Sequence, residues 1–262
     1  MFNNQRFWLQ TMGPVLLLAV WTVCSATDLV PVYLLPPPWT VLKAMLGFVT
    51  GLGWHSPYAG GFLIHAATSL ARVLSGFTIA AIMGITLGIA CGRSQRLAWL
   101  IDPLVQLFRS VPGISWLPIA MIWFGIGTST AIFLIALAAF FPVYINTLHG
   151  ARDIPQLWLR AARTLGASSK QVLFRVVLPG VFPSIESGLR VGMGVAWAYV
   201  VLGELTGVNK GLGAMIMDAR MMGDATTIFV GMAYIALLGC LTDRLLMSLF
   251  KHIRGHRPCQ RT

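Results

Sequence analysis

Eight ionisable residues fall within or at the edges of long apolar runs: Arg72, Asp102, Arg109, Glu186, Arg190, Glu204, Asp243 and Arg244. A charge at membrane depth is costly, so such groups pair with one another or face water. Glu186 and Arg190 stand four apart, in the order that favours an ion pair along one helix. A structural pair is the simpler reading there than a place on a polar path. Asp243 and Arg244 are adjacent, point to different faces and cannot simply neutralise each other; near a helix end both can snorkel. Arg72 and Arg109 have no acid three or four positions away, and Asp102 lies seven before Arg109, two helical turns off. These two arginines either pair across helices, the reading we favour, or meet an anion. Glu204 adjoins a turn rich in glycine (Gly207, Gly211, Gly213), where contact with solvent is expected. Candidates for a polar path are therefore Arg72, Arg109, Glu186, Arg190 and Glu204.

Nothing in the chain reads as a catalytic constellation. There is no His-Glu-x-x-His, no Gly-x-Ser-x-Gly and no phosphate loop of the Gly-x-x-x-x-Gly-Lys-Ser/Thr type, so the chain is not expected to hydrolyse ATP. Gly188, Gly192 and Gly194 lie inside an apolar run and do not form a nucleotide fingerprint. The four cysteines (Cys24, Cys91, Cys240, Cys259) are scattered, and the five histidines lack ligand spacing. Neither a metal site nor redox chemistry is expected.

The elements that must position these charges are membrane helices. Of 262 residues, 56% are hydrophobic and 10% charged, and the mean hydropathy is +0.76. A soluble domain carries about 25% charged residues. A net charge of +11 could suggest nucleic acid, but the basic residues cluster in short connections and form no stripe on a folded domain. Six runs approach the roughly 20 residues that cross hydrocarbon: approximately 7–26, 65–92, 97–126, 128–148, 182–205 and 226–250. The first resembles a signal peptide, yet Cys24-Ser25-Ala26 is only a passable cleavage site, and retention as a membrane helix is the better reading. Pro36, Pro37 and Pro38 break the chain, and Pro38 can open a short interfacial helix to about Thr50, followed by a glycine-rich loop over 51–61. Pro103, Pro112 and Pro118 predict a broken third span with its joint near Arg109 to Gly113. Gly84, Gly88 and Gly92, and likewise Gly188 and Gly192, make small faces for close packing inside the bundle in preference to a dimer seam. With the N-terminus cytoplasmic, Arg6 and the connections after spans two, four and six place twelve basic residues inside, against Lys43, Lys210 and Arg220 outside. Both termini are then cytoplasmic.

The connection after the fourth span, about 152–180, is a polar, basic island between apolar blocks. Within it Ala161 and Ala162 are followed by Gly166, and nine residues later by Val176-Val177-Leu178-Pro179. Such an island should fold and dock on a partner.

This island resembles the cytoplasmic signature of ABC importer permeases, Glu-Ala-Ala-x-x-x-Gly-x(9)-Ile-x-Leu-Pro, with Ala161, Ala162, Gly166, Val176, Leu178 and Pro179 in register. Arg160 stands where the signature has Glu, and Val176 replaces Ile. Other segments are similar to permeases of the nitrate, sulfonate and taurine class, among them Leu35-Pro36-Pro37-Pro38, Arg109-Ser110-Val111-Pro112, Trp123-Phe124-Gly125-Ile126-Gly127 and Gly211-Leu212-Gly213. Together they extend over roughly 200 residues. The resemblance implies an all-α integral membrane protein with the type I ABC importer permease fold: one transmembrane domain over 1–262, six helices and a coupling-helix loop of two short helices. It implies a multi-pass protein of the bacterial inner membrane that works as a pair of permeases, most simply a homodimer among membrane lipids. Two ATPase subunits and a periplasmic or lipid-anchored binding protein would be its partners. ATP and magnesium would sit on the ATPase, and no cofactor on this chain. Coupling would fall to Arg160, Ala161, Ala162, Gly166, Ala167, Leu178 and Pro179, with Gly166 at the bend. The class suggests taurine or an alkylsulfonate as cargo, then nitrate or bicarbonate. The readings from other classes are a secondary carrier independent of ATP, disfavoured by the lack of a clear inverted repeat, and a membrane scaffold for a cytoplasmic enzyme.

Overall fold

A computed structural model describes residues 2–27 and 30–254, with side chains over 12–27 and 30–252. The side chains of Arg6 and Arg254, and the tail with His256, Arg257, Cys259 and Arg261, lie outside the described residues. Among the described residues there are helices and no strands. The chain divides into two compact units, Met1–Thr68 with Asn209–Ile235, and Ser69–Val208 with Ala236–Thr262.

The first unit holds α1 (Phe2–Ala26), α2 (Pro38–Thr50), the start of α3 (Phe62–Arg93), α10 (Leu212–Met222) and the start of α11 (Ala225–Arg254). The interfacial helix falls where Pro38 predicts it. Pro38 supplies a first residue that needs no N–H, and the helix closes at Gly51, whose φ of 76° returns its N–H to Gly47. The unit's centre is Phe48, fully buried and edge-on to Trp54, Phe62 and Tyr234. Tyr58 in the following loop donates to Asp218 at 3.0 Å. Partial burial, then that carboxylate, push its phenol up to about 12, so it stays neutral. Helix α10 was not expected: the glycine-rich turn ends at Gly211, and a helix of 11 residues follows to a left-handed Gly223. Asp224 then caps α11 by accepting from the Thr227 N–H at 3.1 Å.

The second unit is built on α6 (Thr128–Arg152), whose buried face runs from Thr130 to Ala151 and is rich in alanine. Two helices press on it where glycine permits. From α3, added Cβ atoms at Gly84, Gly88 and Gly92 would stand 2.8, 2.7 and 2.4 Å from Val143, Thr147 and Ala151. From α9 (Leu178–Glu204), those at Gly188, Gly192 and Gly203 would stand 3.0, 3.0 and 2.7 Å from Asn146, Val143 and Ala131. The small-residue faces therefore pack within the subunit, as expected.

Between α3 and α6 the chain bends by 94° from α4 (Gln95–Ser110) to a 3₁₀ turn and α5 (Leu117–Phe124). This is the expected joint. Pro112 denies the helix its next donor, and a Cβ at Gly113 would lie 2.0 Å from the Tyr199 hydroxyl, so a larger residue there would displace that ring. Among the described residues, four helices are long and apolar enough to cross a membrane, five with this bent pair. Helix α1 covers the first expected span, with a shorter described apolar stretch, Met12–Ala26.

The island comprises α7 (Gln156–Thr164) and α8 (Ser169–Val172). The second element is not a separate short helix. It passes through a π-helical turn, Leu173–Val177, into α9, making one rod of 36 residues, Ser169–Glu204. The wide turn falls just before Pro179, which lacks the N–H that a regular α turn would use.

Candidate functional site

Ion pairs between helices arrange the intramembrane charges of the second unit. At the far end of α9, Glu204 and Arg72 are 1% and 5% exposed, and Arg72 Nη1 donates to Glu204 Oε1 at 2.7 Å. Ser69 Oγ donates to the same carboxylate at 2.7 Å. The remaining guanidinium edge donates to Thr128 Oγ1, from Nη2 at 3.2 Å and Nε at 3.3 Å. Arg72 thus pairs across helices, as favoured. Glu204, expected to touch solvent, is buried instead, because its counterion lies 132 positions earlier in sequence.

The second pair is on α4 and α6. Asp102 accepts from Arg152 Nη2 at 2.7 Å and from the Tyr144 hydroxyl. It does not pair with Arg109. Arg109 is exposed and lines, with Asp102, Gln106, Tyr144, His149 and Arg152, a cleft of about 120 Å³. Three side chains that can carry positive charge share that cleft with one carboxylate. No ion pair to Arg109 is present among the described residues.

The third pair gives Arg190 a partner that the sequence did not: its Nε donates to Asp243 Oδ1 of α11 at 3.1 Å, across helices. Helical spacing alone could not reveal a partner 53 residues away. Glu186 is half-buried on α9.

In the island the signature spacing has a local cause. Gly166 takes φ of +77°, its N–H donates to Arg163, and the Ala167 N–H donates back to Ala162. This is a Schellman closure of α7, which needs a residue free to adopt left-handed geometry four positions after Ala162. Ser168 opens α8 with a capping box: its hydroxyl accepts from the Gln171 N–H at 3.3 Å, and Gln171 Oε1 accepts from the Ser168 N–H at 2.8 Å. The reversal is therefore fixed from both sides. Inward, Leu159, Val172 and Val177 are buried, and Ala162, Ala167, Leu178 and Pro179 are half-buried. Outward, Leu157, Trp158, Arg160, Ala161, Leu165 and Phe174 are exposed. An added Cβ at Gly166 would meet nothing within 4 Å.

The site as built consists of packed apolar helices, charge pairs that cross between helices, and a doubly capped basic reversal at one connection. Residues 84–255 match the family of binding-protein-dependent transport system inner membrane components, and the chain belongs to it. It is 37% identical over 243 residues to the taurine transport system permease protein TauC of Escherichia coli strain K12, covering 90% of this chain and 85% of that one. It is also 37% identical over 195 residues to the bicarbonate transport system permease protein CmpB of Synechococcus elongatus, covering 74% and 70%. In fold it is similar to an inward-facing structure of the MetNI methionine ABC transporter, with a TM-score of 0.58, 19% identity, and coverage of 70% of this chain and 94% of that chain. The chain is a multi-pass membrane permease, and its family implies ATPase subunits and a substrate-binding protein as partners.

Proposed function

We propose that this chain, as a homodimer with both termini cytoplasmic, forms the membrane path of an ATP-driven importer for a small sulfonate such as taurine, or otherwise an inorganic oxyanion such as bicarbonate or nitrate. The observation that carries the coupling part is the island: a doubly capped reversal with an exposed face, joined at both ends to packed helices. Two ATPase subunits receive the two islands and bind ATP and magnesium; the permease binds no cofactor. Displacement of the island by ATPase closure reaches α6 through the three residues 153–155, and reaches α9 directly through the unbroken rod. The seam between α6 and α9 moves as a unit because its backbones are in near contact. Loaded binding protein and ATP both favour the outward-open state, and hydrolysis resets it.

The charge pairs divide the path candidates. Arg72 with Glu204, and Arg190 with Asp243, are neutralised and hold helices together; Arg109 faces an open cleft. An arginine in that position attracts an anion, which suits a sulfonate or oxyanion cargo. Arg109→Gln is expected to lower the rate of taurine uptake in proteoliposomes several-fold while the complex assembles in normal yield. Unchanged uptake kinetics would remove Arg109 from the path.

A further inference from the structure

Arg160 is the one signature position where this sequence reverses a charge, and the fold gives that reversal a setting. Leu157 and Ala161 of α7 and Leu165, the residue that ends it, recur every four residues, and Leu157 and Leu165 are 73% and 87% exposed. Arg160 borders this apolar ridge on one side and Trp158 on the other. Arg163 lies nearer the body of the subunit, where it lines a cleft with Arg93, Ser169 and Leu173. Its neighbour there is another cation. The sole acid between Arg152 and Val177 is Asp153, which precedes α7. None of the ion pairs among the described residues includes Arg160.

We infer that the ATPase cleft receiving this island presents a carboxylate opposite Arg160, so the permease and its ATPase meet with charges inverted relative to the family signature. This rests on reading the island as the docking surface. When the ridge of Leu157, Ala161 and Leu165 is covered, the adjoining guanidinium loses water on one side. A charge desolvated in this way must find a counterion or weaken the complex. Among the described residues no carboxylate pairs with it, so the partner supplies one. The same contact sets specificity: an ATPase carrying a basic residue at that point meets Arg160 as a like charge, which costs an interface several-fold to many-fold in affinity. The subunit therefore selects its own ATPase and rejects those matched to a glutamate at this position.

The test is the complex of full-length permease and cognate ATPase in nanodiscs of neutral or anionic lipid, with retained ATPase quantified after washing at rising salt. Wild type is compared with Arg160→Glu and Arg160→Lys, each checked for normal membrane abundance. Wild type and Arg160→Lys are expected to retain the ATPase in both lipids, Arg160→Glu to retain at least about tenfold less, and a carboxylate-to-lysine change in the ATPase cleft to restore it. Retention by Arg160→Glu equal to or above wild type overturns the inference. A loss confined to anionic discs also overturns it, by assigning Arg160 to lipid. Failure of wild type to retain any ATPase defeats the docking reading itself.

Discussion

Arg72 and Glu204 are buried together, and the cost of removing each from water is recovered only while the other is present. Ser69 and Thr128 take up hydrogen-bonding capacity that the pair leaves over, so the cluster ties α3, α6 and α9 at the end of α9 opposite the island. Breaking a buried pair on one side costs about 3–5 kcal/mol, whereas apolar replacement of both partners is often close to neutral. Arg72→Met is therefore expected to lower the thermal midpoint of the detergent-solubilised protein strongly, and Arg72→Met with Glu204→Met to recover most of the loss. Equal destabilisation by the single and double variants would show that the guanidinium, not the pairing, holds the helices. The pair between Arg190 and Asp243 is exposed enough that its deletion should matter far less.

At the scale of elements, α6 is the axis of the second unit and its neighbours are spaced by glycine. Gly88→Leu would drive a side chain into Thr147 and the Tyr144 carbonyl, where an added Cβ already stands 2.7 and 3.0 Å away. A loss of about 1–3 kcal/mol or more is expected, read as a lower thermal midpoint and reduced membrane abundance. Gly194→Ala on α9 meets nothing within 4 Å and should be neutral or slightly stabilising. If both variants behave alike, close packing of α3 on α6 is not what these glycines serve. The sequence made these seams legible because spacing-four glycines in an apolar run have few other uses. It also located the interfacial helix and the broken span, since proline acts on its own neighbourhood. It did not reveal α10, because Gly207, Gly211 and Gly213 read as a continuous turn and the helix beyond begins only after Gly211. Nor did it give the partners of Glu204, Asp102 and Arg190, which lie 132, 50 and 53 residues away and depend on how helices are brought together. The π turn before Pro179 was likewise invisible: proline signals a break, but here the rod widens by one residue and continues.

For the whole molecule, the proposed function makes one device of the island and the two helices of the second unit that it joins. Gly166 is its most exacting residue, for two separate reasons. Its φ of +77° is one that other residues adopt with strain, aspartate less than most, and the space around it is open to a partner. Gly166→Asp should therefore insert and pack normally yet fail to couple, because the added carboxylate occupies the partner's place. The most direct measurement is ATP hydrolysis by material purified on this chain from its native membrane in mild detergent, with and without binding protein and taurine, for wild type and Gly166→Asp. The expected result is a co-purifying nucleotide-binding subunit whose hydrolysis rises with loaded binding protein, and a Gly166→Asp chain of equal abundance with no such rise. Recovery of the chain alone under conditions that preserve transporter complexes, or hydrolysis stimulated equally in the variant, would contradict the coupling role of the island.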